Sequence, residues 1–249
     1  MVRILLMRGM LVGFLAGLLV FGFARMAGEP QVDRAIAIET AIDDARASAD
    51  LARGIHDAPE PEIVSRSMQR SWGLLTGVMV YSTAFGGLFA LVFAFANGRV
   101  AIRDPRALSV LLAVAGFVAV ALVPALKYPA NPPSVGSPET IGSRTLLFAV
   151  MLFMSVAAMV GAVAIRRHLL PTRGEWFASL SGAGFYLSCV VVLAVLLPGV
   201  NEVPAGFPAD LLWRFRLDSL GLQLILWSGL GIGFGALNER LAKRQFFSR

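Results

Sequence analysis

Residues 124–138 read PALKYPANPPSVGSP, and they lie between two apolar runs, 107–126 and 145–165. Each run is about as long as the roughly 20 apolar residues that a helix needs to cross a bilayer. A proline-rich stretch between two such runs belongs at a membrane surface. Proline fixes φ and has no N–H to donate, so the segment is expected to be neither helix nor strand but a stiff, extended turn. On that backbone Lys127, Tyr128, Pro129, Pro132 and Pro133 form an outer-loop motif, with Asn131 as an amide oxygen donor beside it. A second loop, PGVNEVPAGFP at 198–208, repeats the chemistry and adds Asn201 and Glu202.

Working outward, further apolar runs cover residues 4–24, 72–96, 178–197 and 217–237, which makes about six spans. The expected fold is all-α: a polytopic membrane helix bundle in one integral domain, 1–249. A long external, partly helical segment, 25–71, is inserted between the first two spans. Composition agrees, because 57% of the 249 residues are hydrophobic and only 15% charged, against roughly 25% charged in soluble domains. The formal charge of +6 does not point to nucleic acid, since the cations gather beside apolar runs, where they orient a chain in lipid. The single cysteine, Cys189, lies within an apolar run and permits no intrachain disulfide.

The first run follows Arg3 and resembles a signal peptide at its start. No small-x-small cleavage site follows, because Arg25 stands where a small residue is needed, so a retained span is expected. Gly9, Gly13 and Gly17 recur every fourth residue, and such a stripe lets another helix approach closely. The glycines of the last run, Gly221, Gly229, Gly231, Gly233 and Gly235, carry the same expectation.

Segment 25–71 sets nine acids against six arginines. Residues 31–53 are good helix formers without proline or glycine. Glu39, Asp43, Arg46 and Asp50 share one stripe of that helix. The stripe reads either as a solvated face with i,i+3 and i,i+4 ion pairs or as an acidic surface that concentrates cations. Asp210, Arg214 and Asp218 have the spacing of a second charge ladder at the mouth of the last run.

Connections give the orientation. Placing the N-terminus, 97–106, 166–177 and 238–249 on one side collects twelve bases and three acids there. By the positive-inside rule that side is cytoplasmic, with both termini, and the acidic segment and both proline loops face outward.

Catalytic motifs are missing. Neither Lys127 nor Lys243 follows a Gly-x-x-x-x-Gly, the two histidines, His56 and His168, fall on opposite sides, and there is no His-Glu-x-x-His. His56 beside Asp57 could bind a cation but reads more simply as solvated. The runs hold few polar groups: Tyr81, Ser82, Thr83, Tyr186, Ser188, Cys189 and Gln223. Gln223 reads as an interhelical hydrogen-bonding group, and Met151, Met154 and Met159 as packing. No enzyme and no resident cofactor are expected.

Four segments carry a resemblance: Gly28-Glu-Pro-x-Val-x-x-Ala-Ile-x-x-Glu39, then LKYPANPP at 126–133, NEVP at 201–204 and FPADLLWRFRL at 207–217. Together they resemble the CbtA family, the predicted membrane subunit of a bacterial cobalt transporter. The resemblance runs over nearly the whole chain. It implies cobalt uptake across the bacterial inner membrane, linked to cobalamin, with a small one-span CbtB-like partner bearing histidines. That family is usually described with five spans, one fewer than the runs counted here.

Co(II) takes imidazole, carboxylate and water. The hard donors on the outer side are Glu29, Asp33, Glu39 and Glu202, with the amide oxygens of Asn131 and Asn201, and they are the candidate metal residues. Cobalt is then cargo. A cation permease subunit in contact with lipid, a structural or assembly subunit and a membrane enzyme are the three readings weighed, and the first is the expectation.

Overall fold

The structure, a computed structural model, describes residues 2–54, 64–100, 102 and 104–240. His56, Asp57, Glu60, Glu62, Arg103 and Lys243 lie outside the described residues. Every regular element among those described is helical.

The first span, α1 (Val2–Phe23), does not end at the membrane surface. It continues through a π-helical turn, Ala24–Gly28, into α2 (Glu29–Leu51), so the helix of the acidic segment grows directly out of the bilayer. Pro30 explains the π turn. Its ring would strike the carbonyl four residues back and it cannot donate, and a locally widened helix relieves both. The same device recurs before Pro124, where α5 (Pro105–Gly116) passes through a π segment, Phe117–Leu122, into α6 (Val123–Lys127). This corrects the sequence expectation that residues 124–127 leave the helix. Irregular chain begins at Tyr128, after the π segment has absorbed the proline. Between these two units, α3 (Arg66–Met68) and a π turn, Gln69–Gly73, lead into α4 (Leu74–Ala96).

Among the described residues, five helices are long and apolar enough to cross a membrane, covering 2–51, 66–96, 105–127, 138–196 and 209–240. The fourth contains α7 (Ile141–Leu196), which doubles back. Gly174 has φ 77° and ψ 169°, a region essentially closed to side chains. Ser155 and Tyr186 meet at 2.9 Å across that break. In a straight helix, residues 31 apart would stand about 46 Å apart. The helix is therefore an antiparallel hairpin that brings the runs 145–165 and 178–197 together, and six apolar segments fit within five helices. Arg8 at the start of the chain donates to Asn238 near its end at 2.9 Å. The first turns of α1 and the last described turn of the final helix thus lie at one end of the bundle, as an even number of crossings requires.

Close approach builds the core. On α1 the buried face is Gly9, Val12, Gly13, Ala16, Gly17 and Val20. A Cβ on Gly13 would run into the Ser82 carbonyl oxygen of α4, and one on Gly86 would run into that of Gly9. The last helix, α8 (Ala209–Gly229) with its π segment Leu230–Phe234, wedges in beside them. Gly229 faces Ala16, and Gly231 faces Ala113 of α5. Phe89, Phe93, Trp227 and Phe234 fill the centre edge to face. Ser109 donates to the carbonyl of Gly231 at 2.8 Å, in a stretch where the π geometry disturbs the usual helical pairing. Met151 is buried in a second cluster with Val123, Tyr128 and Tyr186, so it packs, as the sequence suggests.

Candidate functional site

Both proline loops meet at the bundle end opposite the termini. Lys127, in the last turn of α6, donates to the Ala194 carbonyl at 2.8 Å, a cation satisfying an open helix C-terminus. Tyr128 donates to the Pro198 carbonyl at 2.8 Å, and burial pushes its hydroxyl pKa up. Pro132 is buried, and Pro129 and Pro133 are half-buried around it. Ser134 holds φ 68° and Gly136 φ 116°, so the chain turns twice through the left-handed region within three residues. The outer-loop motif is turned into the protein and tied there rather than presented to solvent.

Glu202, from the second loop, is the knot. Its carboxylate accepts from the Ser137 amide at 2.8 Å and the Thr140 hydroxyl at 2.9 Å, and Arg144 stands 3.4 Å away. The Ser137 and Thr140 bonds, aided by Arg144, hold its pKa below the ordinary carboxylate range. Asn131 accepts from Arg216 of α8 at 3.0 Å. Asn201 is exposed and accepts from the Val203 amide at 3.5 Å within its own loop.

The other candidate carboxylates form a separate group on α2. Glu29, only 7% exposed, accepts from Arg66 at 2.6 Å. Asp33 takes Arg66 at 3.0 Å and Arg70 at 3.5 Å. Glu39 is exposed, six residues farther along α2 than Asp33. Sequence alone could not pair these acids, since Arg66 and Arg70 come back from the far end of the polar segment. Helix α2 nevertheless reaches the loops, for Ser134 donates to the Ala35 carbonyl at 3.4 Å and Arg34 pairs with Asp210 at 3.3 Å. That pair replaces the expected Asp210–Arg214 contact, because α2 brings a cation within reach of the end of α8. Among the described residues no three His, Cys, Asp or Glu side chains gather as a metal-binding group.

Between the loops and the ends of α4, α7 and α8 lies a cavity of about 870 Å³. Phe85, Phe148, Leu152 and Leu220 line it with apolar surface, and Asn131, Asn201, Arg144, Glu202 and Arg216 bring polar groups to it. Its lining thus holds two guanidiniums and one carboxylate. Sequence reading overlooked Arg144, the lone cation at the start of its run. Gln223 of α8 bonds to Tyr81 of α4, the interhelical link expected of it, and lines the cavity with its Oε1 buried and unpaired.

A family model described as "Probable cobalt transporter subunit (CbtA)" matches residues 2–239 of the 249. Neither the curated proteins nor the solved structures gave a match.

Proposed function

Since the chain belongs to the CbtA family of probable cobalt transporter subunits, we propose that it is the path-forming membrane subunit of a bacterial cobalt importer. The match across residues 2–239 carries this reading. A small, one-span, histidine-bearing partner completes it. Co(II) favours imidazole together with oxygen donors, and the donors this chain offers near the loops are carboxylate and amide oxygens. Glu29, Asp33, Glu39, Asn131, Asn201 and Glu202 are the oxygen donors along the path. Both termini face the cytoplasm, which puts the proline loops outside; a cysteine at Ala130 labelled only from the cytoplasmic side would reverse this orientation.

Cobalt accumulation in cells carrying this chain alone, the partner alone and both tests the proposal. Uptake is expected only with both. Glu29→Gln and Glu202→Gln should lower it at constant protein level, while Asp43→Asn and Asp50→Asn leave it unchanged. Equal loss in the two pairs would reduce the carboxylates to diffuse attraction of cations. A second reading, a structural or assembly subunit, is favoured by one observation: Glu29, Asp33 and Glu202 are already paired with arginine. Unchanged uptake in all four variants would favour it.

A further inference from the structure

The cavity between the proline loops has a lining of net positive charge, two guanidiniums against one carboxylate. Glu202 is taken up by Ser137, Thr140 and Arg144, and the Asn131 oxygen by Arg216. Arg144 has its carboxylate, but Arg216 has none within 4.0 Å among the described residues. Its one bonded partner is the neutral amide of Asn131, and its Nε is buried without any partner. A guanidinium partly withdrawn from water with no anion to offset it is costly, and a ligand can supply what the protein omits. The volume, about 870 Å³, is that of sites for small organic molecules and far exceeds an ion. The walls formed by Phe148, Leu152 and Leu220 suit a carbon body.

We propose that this cavity binds an organic oxyanion, a carboxylate or phosphate on a carbon body, with Arg216 as its cationic seat and Arg144 beside it. The site stands independently of the transport reading. Guanidinium suits both groups because its planar fork donates two parallel hydrogen bonds to either. The oxyanion could belong to a free carboxylate in solution or to the headgroup of an anionic phospholipid, and the two sources are separable.

The purified full chain in phosphatidylcholine nanodiscs is titrated with citrate by calorimetry. In parallel, native mass spectrometry counts phosphatidylglycerol retained from mixed nanodiscs. Saturable binding is expected in one arm, which identifies the source. Charge-assisted hydrogen bonds are among the stronger ones, so Arg216→Gln should weaken that binding about tenfold or more. Arg214→Gln, two residues away and exposed, should leave it intact. Asn131→Asp is a second route if Arg216→Gln does not fold, since it gives Arg216 an internal carboxylate and should expel the ligand. Binding by neither probe overturns the proposal. So does parental affinity in both Arg216→Gln and Asn131→Asp, or an equal loss in Arg214→Gln.

Discussion

The two ends of this bundle are held together by different chemistry. Toward the termini, α1 and α4 touch backbone against backbone at Gly9, Gly13, Ser82 and Gly86, and the α8 glycines Gly229 and Gly233 lie against the short side chains of Ala16 and Val12. At the loop end the ties are side chain to side chain or side chain to carbonyl, joining residues 62 to 99 positions apart. The first region leaves no space, whereas the second encloses a cavity of about 870 Å³. Close packing in lipid gains nothing from expelling water, so small residues that let dispersion contacts accumulate must supply the cohesion. A polar network can instead hold loops around an open volume, because each bond fixes a direction without filling space. The glycine region therefore has little freedom to change, and the loop region is where a ligand can act.

The sharpest way to break this contrast is to add bulk to the tight side. Gly13→Leu forces a side chain into the Ser82 carbonyl and the Gly86 backbone, and overpacking costs typically about 1–3 kcal/mol, occasionally more. Since the obstacle here is backbone rather than a movable side chain, the upper end is expected. Monodisperse protein after detergent extraction should fall severalfold. Gly22→Ala, on the same helix with nothing within 4 Å, is the control and should be neutral or stabilising by up to about 1 kcal/mol. Normal yield from Gly13→Leu would place the stripe against lipid.

Next comes the hairpin that frames the cavity. Gly174→Ala imposes a Cβ on φ 77°, ψ 169°, a conformation costing of order 1–3 kcal/mol for other residues. No neighbour lies within 4 Å of that Cβ, so the penalty is purely conformational. A lower melting temperature with unchanged oligomeric state is expected. An unaffected melt would mean that the reversal tolerates ordinary backbone.

What the sequence discloses follows the same division. The glycine stripe was legible because a four-residue repeat maps directly onto one helix face. All six apolar runs were legible too, including the two that share α7. Hydropathy records length and composition whether or not the chain bends between runs. The extent of helix around Pro124 was not legible, because a six-residue π segment ending two residues before it removes the clash that proline normally causes. The partners of Glu29, Asp33 and Glu202 were not legible at all. Arg66 lies 37 residues from Glu29 and Arg144 lies 58 from Glu202, and only the fold sets them together. Sequence thus located the loop end as the place of interest, yet it could not say which of its acids were already engaged.

Acid pH probes the loop end specifically. The folded-state pKa of Glu202 is depressed, so its contribution to holding the loops is fully present above the ordinary carboxylate range. It is lost as pH falls through the depressed value. Near neutral pH, Glu202→Gln should speed amide exchange at Ser137, whose N–H the carboxylate accepts. Below the depressed value, parent and variant should converge. A difference that persists in acid would assign the protection to the shape of the side chain rather than to its charge.

The smallest effect is expected within α2, where the comparison can be made along a single helix. Asp43–Arg46 at 3.9 Å and Asp50–Arg53 at 3.6 Å are both i,i+3 pairs. Side-chain exposures of 64% and 76% in the first leave it in water. Exposed pairs of this kind contribute roughly 0.2–1 kcal/mol and often nothing measurable. Glu29–Arg66 is different, at 2.6 Å with the carboxylate side chain 8% exposed. There the loss of Glu29 leaves the half-buried Arg66 with only the more exposed Asp33, and removal is felt more strongly. Asp43→Asn should therefore change stability by less than about 0.5 kcal/mol, a shift that 0.5 M salt erases. Glu29→Gln should lower stability several times more and keep most of that loss in salt, because burial shields the pair from screening. Equal, salt-sensitive losses from the two variants would make α2 one uniformly solvated helix. The docking of its first turns onto Arg66 and Arg70 would then contribute nothing to the loop end.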